Sequence, residues 1–189
     1  ENVILNNQII TIHSIKNDVT GDNFLFEEHS FVFYPIKLIK HRAQIYIGGW
    51  NLKKKEIQIF DINQITGYIV EDKSFKKQRF LHKFNEELIK RFGVTRNINK
   101  EVYDIKIEIS SVLSEFIKNR HWHETQKLKK LNNKYILHLK CGINRELIGW
   151  LFQWVYNVKI IEPEILKIYY DKALNEIKKN NSKNVPLVY

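Results

Sequence analysis

A single cysteine, Cys141, stands in 189 residues, and that scarcity is the first constraint. One thiol cannot build a disulfide framework or a cysteine-based zinc site within one chain, and it fits a reducing, cytoplasmic setting. No charged segment leads into an apolar stretch at the start of the chain, so no signal peptide is read there. The longest apolar run, LIGWLFQWVY at 147–156, is about half of what a bilayer span requires. A soluble protein with no membrane partner is therefore expected. The chain opens on Glu1 instead of Met, which suggests a piece of something longer.

Negative charge is also short. Asp and Glu number 21 against 31 Lys and Arg, a net charge of +10. Such an excess favours nucleic acid, nucleotides or acidic surfaces as partners. The joint richness in Lys, Ile and Asn is equally what an AT-rich genome would give any protein. Enzyme signatures are missing as well. There is no phosphate-cradling glycine loop, nucleophile elbow or histidine-zincin motif. The adjacent carboxylates Glu71-Asp72 and Glu86-Glu87 point apart on strand and helix alike. The expectation is a protein that is not an enzyme and takes no cofactor.

What is present begins with a core: 43% of residues are hydrophobic, enough to exclude wholesale disorder. The first part of the chain reads as β. QIITIHSIK (8–16), HSFVFYPIKLIK (29–40), QIYIGGWNLKKKEIQIF (44–60) and ITGYIVED (65–72) are strand-like runs, with polar turns such as Asp18 to Asp22. Pro35 suits a bulge or an edge, and Gly48-Gly49 within a strand mark a bend or a close approach. The segment 44–60 reads as a hairpin tipped by Lys53-Lys54-Lys55. FLHKFNEELIKRFGV (80–94) changes to helical period, with Phe80, Leu81, Phe84, Leu88 and Phe92 on one face and Gly93 as a stop.

The second part has the cleaner pattern. VYDIKIEI (102–109) alternates strictly, and Ser110-Ser111 can cap a helix carrying Val112, Leu113, Phe116 and Ile117. HWHETQKLKKL and KYILHLKC flank Asn132-Asn133 as a hairpin. INRELIGWLFQWVY is a helix whose Trp150 and Trp154 suit a core, and Pro163 suits the start of a last helix. The order β-α-β-β-α-β plus a helix is the ferredoxin-like arrangement. KKNNSKN (178–184) reads as a tail. His121 and His123, taken as strand residues, share a face and form the sharpest metal candidate. A zinc site needs three or four ligands, and no partner cluster is present. Polar surface or hydrogen-bonding structure is the better account of the pair, and no metal is expected. On the first sheet, Tyr34, Lys37, Arg42, Tyr46 and Gln58 bring aromatic and donor groups suited to stacking on bases and binding phosphate oxygens.

FYPIKLIKHRAQIYIGGWNLKKKEIQIFDINQI (33–65) resembles the core of a WYL domain. The family's Trp-Tyr-Leu tripeptide stands here as Ile45-Tyr46-Ile47, followed by Gly49 and Trp50. The closing Asp-Arg-Ile triplet stands as Asn63-Gln64-Ile65. RFGVT (91–95) resembles the turn closing the family's linker helix. NRHWHETQKL (119–128) and NRELIGWLFQWVYNVKIIEPEIL (144–166) resemble the histidine-bearing strand and the helix of its C-terminal extension, WCX. The resemblance implies an α+β chain: an Sm-like or SH3-like β-barrel over 1–78, a linker helix and turn over 79–100, and a ferredoxin-like extension over 101–180, with a tail from 181. It implies a bacterial transcription regulator whose helix-turn-helix domain, absent from this sequence, binds promoter DNA. This region would then sense a ligand, a nucleotide or single-stranded nucleic acid, and form a homodimer. The implied contacts are Tyr34 and Tyr46 stacking, Lys37 and Arg42 on phosphate, and Gln58, Asn63 and Gln64 hydrogen-bonding. His121 and His123 would complete the site from a neighbouring subunit. Gln58 and Gln64 stand where the family typically carries arginines, which removes bidentate phosphate recognition. The alternative is an interaction module that binds no small ligand and only dimerises.

Overall fold

A computed structural model describes residues 2–15, 30–132 and 134–182. The expected turn at Asp18 to Asp22, and Asn133 of the second hairpin, lie outside the described residues. The chain is mixed α+β with two antiparallel sheets, in two compact units, 1–97 and 98–189.

The first unit comprises α1 (Asn2–Leu5), β1 (Gln8–Ile15), β2 (Phe31–His41), β3 (Gln44–Asn51), β4 (Glu56–Asp61), β5 (Ile65–Ser74) and α2 (Gln78–Ile89). Its strands lie in the order β4-β3-β2-β1-β5. Among the described residues no pairing joins β4 to β5, so the sheet is open where a closed barrel was expected. Both faces of β3 are nonetheless covered. On one side Phe33, Ile47 and Phe60 meet Ile10, Ile12 and Ile15. On the other, Ile36 and Ile57 pack on Phe84 of α2, a side chain whose full burial contributes about 2–3 kcal/mol.

The glycine pair of β3 is explained by this two-sided packing. A Cβ on Gly48 would fall 2.8 Å from Cζ of Phe84, and one on Gly49 would fall 2.7 Å from Cζ of Phe33. Only hydrogen fits at either place. The β2–β3 register slips between Pro35 and Lys37, the bulge that the proline suggested. Helix α2 ends at Ile89, before Gly93, whose φ of 78° instead serves the turn that follows. That turn is pinned by Arg91, 2% exposed. Its guanidinium donates to the Val94 carbonyl (3.0 Å) and to Glu87 Oε1 (3.1 Å). The effect is to press Val94 against Tyr46 and Ile59.

The second unit comprises β6 (Tyr103–Ile109), α3 (Ser111–Lys118), β7 (Lys127–Leu131), β8 (Lys134–Cys141), α4 (Arg145–Gln153), β9 (Val158–Glu162) and α5 (Glu164–Ser182). Its strand order is β7-β8-β6-β9. Alternation puts Ile105, Ile107, Ile109, Leu137 and Leu139 inside and leaves the charged residues of β6 and β8 on the opposite face. Ser110 Oγ accepts from the Leu113 amide (3.2 Å), and Asn144 Oδ1 accepts from the Leu147 amide (3.0 Å). Each thereby satisfies an otherwise orphaned N–H at a helix start. Trp150 is 1% exposed, and Trp122, Trp150 and Trp154 sit edge to face with centroids 5.9–6.2 Å apart, the geometry favoured by aromatic quadrupoles.

One expectation is corrected: the stretch 178–184 reads as a tail, yet α5 continues to Ser182. Helix α3 carries Val112, Leu113, Phe116 and Ile117 as expected, with Leu113 and Ile117 buried and Val112 82% exposed. No helix among the described residues is long and apolar enough to cross a membrane.

Candidate functional site

The residues singled out on the first sheet divide by strand parity. Tyr46, Gly48 and Trp50 point to one face, and Ile47, Gly49 and Asn51 to the other. Gln58 pairs with Gly49 and Tyr46 with Asp61, so Gln58 and Tyr46 lie on opposite faces. They cannot contact one ligand lying on a single face of the sheet, although the resemblance implies that both do.

Gln58 is instead part of the hairpin's own polar network. It is 1% exposed, accepts from Asn51 Nδ2 (2.7 Å) and donates to Glu56 Oε1 (3.2 Å). Asn51 Oδ1 accepts the Lys54 amide (3.0 Å), and Glu56 Oε2 meets Arg96 (3.3 Å). The turn of the 44–60 hairpin is therefore braced from below, and Lys53, Lys54 and Lys55 form its exposed tip. Lys55 takes a φ of 55°, and its amide donates to the Asn51 carbonyl at 2.9 Å.

The two tyrosines are also engaged. Tyr34 stacks on Phe75 with centroids 4.9 Å apart and meets Phe80 edge-on at 5.5 Å. The adjoining Trp50 carries the Lys83 ammonium 5.1 Å above its ring. One ring face of Tyr34 is thus occupied by the protein. Tyr46, 7% exposed, packs with Ile59 and Val94. It supplies a wall, not an open stacking platform.

What the fold does bring together is one end of the sheet. The β2–β3 connection is a two-residue turn in which Arg42 and Ala43 both have positive φ, 47° and 65°. That primed geometry suits a twisted hairpin but costs about 1–2 kcal/mol for each non-glycine residue. Beside it lies a 3₁₀ turn, Ile62–Gln64, capped by Asp61, whose Oδ1 accepts the Asn63 amide at 2.9 Å. Asn63 Nδ2 donates to Gln44 Oε1 (3.4 Å) and so ties the two turns together. Arg42, Gln44 and Asn63 are exposed, and Gln64 is half-buried. The His41 ring lies 6.3 Å from that of Tyr46. This end offers a guanidinium, three amides and an imidazole at the mouth of an apolar wall. Lys37, also exposed, stands farther along β2, opposite Gly48. Gln44 and His41 were not singled out from sequence, although their position flanking a two-residue turn was the available signal.

The histidines belong to the second unit. His121 and His123 fall in the loop before β7, not on a strand, so the shared-face argument for a metal pair does not apply to them. His121 is exposed, and His123 is 6% exposed. The Nδ1 of His123 accepts the Thr125 amide (3.2 Å) and meets Thr125 Oγ1 at 2.8 Å. The neighbouring Gln126 donates to the carbonyls of Ile117 and Arg120 and accepts the Trp122 amide. The loop is closed by these bonds, with His123 as one of its fasteners. Among the described residues no three His, Cys, Asp or Glu side chains are placed to hold a metal ion.

No family model matches the chain, and no curated protein matches it. Among solved structures, it is similar to the proteasome accessory factor B/C (PafBC) of Arthrobacter aurescens, at 11% identity and a TM-score of 0.35. The match covers 87% of this chain and 24% of that one, so the chain spans about a quarter of the length of the structure it matches.

Proposed function

We propose that this chain is the ligand-sensing and dimerising region of a WYL-type transcription regulator, a binding module and not an enzyme. Its ligand is a nucleotide or a short single-stranded nucleic acid, held at the end of the first sheet where the β2–β3 turn meets the 3₁₀ turn. Two features support the architecture implied by the resemblance. The strand order β4-β3-β2-β1-β5, with Phe33 and Phe60 in its core, is compatible with an opened Sm-like barrel. The β-α-β-β-α-β order with β7-β8-β6-β9 pairing is compatible with a ferredoxin-like extension.

The observation that carries the site is the Arg42-Ala43 turn. Two adjacent non-glycine residues held at positive φ are backbone strain of the sort that concentrates where a side chain must be aimed. The side chain aimed here is an exposed guanidinium, beside Asn63 and Gln64 at the positions that the resemblance assigns to ligand contact. Occupancy acts by favouring one of two dimer arrangements, since a ligand shifts only an equilibrium between states that it binds unequally. Promoter DNA is read by a helix-turn-helix domain outside this sequence.

Fluorescence anisotropy of labelled oligonucleotides tests this reading. Binding should saturate, weaken as salt rises, and fall in Arg42→Ala and Asn63→Ala. Binding unchanged in both variants would overturn the site. A second reading, a dimerisation module with no ligand, draws support from Gln58, whose position is spent on bracing the hairpin. It predicts a flat titration together with a dimer that survives high salt.

A further inference from the structure

One face of the second sheet carries segregated charge. Cross-strand registers place Lys127, His138, Lys106 and Glu162 in one row across β7, β8, β6 and β9. The next row is Lys129, Ile136, Glu108 and Lys159. Lys140 stands opposite Asp104. Every carboxylate of this face lies on β6 or β9, and β7 and β8 carry none. Lys127, Lys129, Lys134 and Lys140 are exposed. Lys134 is tied to Glu108 at 3.1 Å and Lys106 to Glu162 at 2.8 Å. Lys127, Lys129 and Lys140 have no carboxylate partner among the described residues.

We infer that the β7–β8 half of this face binds the phosphate backbone of duplex DNA, as a site separate from the one proposed on the first unit. The extent of the row indicates a polymer. Lys134 and Lys140 are six residues apart on one strand, about 20 Å, and Lys127 and Lys129 are about 7 Å apart. One mononucleotide cannot span them, whereas a duplex presents a charge about every 1.7 Å along its axis. The chemistry of the face indicates backbone contact. Apart from the His138 imidazole, its described residues offer no ring on which a splayed base could stack, and single-strand binders depend on such rings. Ammonium groups on exposed stems suit phosphate as point charges without reading sequence.

His138 is a built-in reporter of that surface. Burial, with Lys129 and Lys106 alongside, holds its imidazolium below the ordinary value of 6.5, while Glu162 and Asp104 pull the other way. Lys127 stands directly opposite it on β7. A polyanion laid over the lysines would reverse the dominant field and raise the titration midpoint of this ring.

The experiment uses the full chain and a 20-base-pair DNA duplex, with His138 titrated by NMR and affinity measured across salt. The His138 midpoint should rise when duplex saturates the protein. In Lys129→Gln/Lys140→Gln the slope of log affinity against log salt should shrink by roughly 2, about 0.9 per lost contact, with the amide spectrum otherwise native. Arg42→Ala should leave both readouts intact, so failure of the first-unit site is distinguishable from failure here. An unmoved His138 midpoint and an unchanged slope would overturn the inference and leave the lysines as guards against pairing at the β7 edge. A larger rise of the His138 midpoint with a single strand than with the duplex, or an equal rise with polyglutamate of matched charge, would overturn the choice of duplex DNA.

Discussion

Replacing Gln58 with leucine separates a structural role from a ligand contact. The side chain is 1% exposed, as is Asn51 beside it. Leucine removes the acceptor of the 2.7 Å bond from Asn51 Nδ2 and the donor of the 3.2 Å bond to Glu56. A buried donor stripped of this partner costs about 1–3 kcal/mol. The Glu56 bond adds less, because that carboxylate is 30% exposed and keeps Arg96. Leucine recovers roughly 1 kcal/mol through its extra apolar burial. The net expectation is a loss of about 2 kcal/mol from the first unit. With a urea m-value of about 2 kcal/mol/M, the midpoint should fall by about 1 M when unfolding is followed through the amide resonances of β3 and β4. A shift below roughly 0.2 M, accompanied by loss of oligonucleotide binding, would refute the reasoning. It would return Gln58 to the ligand-contacting role that its place in the motif implies.

Gly48→Ala should cost about 1–3 kcal/mol, because its Cβ lands against the Phe84 ring; the same urea experiment would read it, and an unchanged midpoint would show that α2 gives way freely. Ala43→Gly should stabilise by about 0.5 kcal/mol, the relief at φ 65° outweighing the extra freedom of glycine in the unfolded chain; a loss of stability would contradict the strained-turn account. Burial pushes the Cys141 thiol up from 9.0 to about 12. The folded state therefore holds its proton where the unfolded chain releases it. This contribution to stability is complete below about pH 9 and is lost between pH 9 and 12. The folded protein should resist iodoacetamide at pH 8 over times in which urea-unfolded protein reacts fully.

Elements whose cause is local were legible in the sequence. The alternation of 103–109 reads directly as β6 because every second side chain faces the core, and Ser110 announces α3 because its hydroxyl satisfies an amide three residues on. The end of α5 was not legible. Its last turns carry no apolar face and are supported by side-chain pairs such as Lys179 with Glu176 at 3.8 Å, which look the same in composition as a polar tail. The His121-Trp122-His123 alternation imitated a strand, whereas the loop is fastened by Gln126 and Thr125. Tyr46 matched a stacking position, and its burial depends on Val94 from a turn far along the chain. Gln58 and Tyr46 looked like neighbours in one site until strand parity set them on opposite faces.

Chemical-shift mapping of the amide spectrum during titration with a short single-stranded oligonucleotide tests the central claim most directly. The account predicts saturable shifts concentrated at residues 41–46 and 61–65, with the β3–β4 hairpin tip and the loop around His123 unmoved. Shifts confined to the second unit, or none at any concentration, would contradict it.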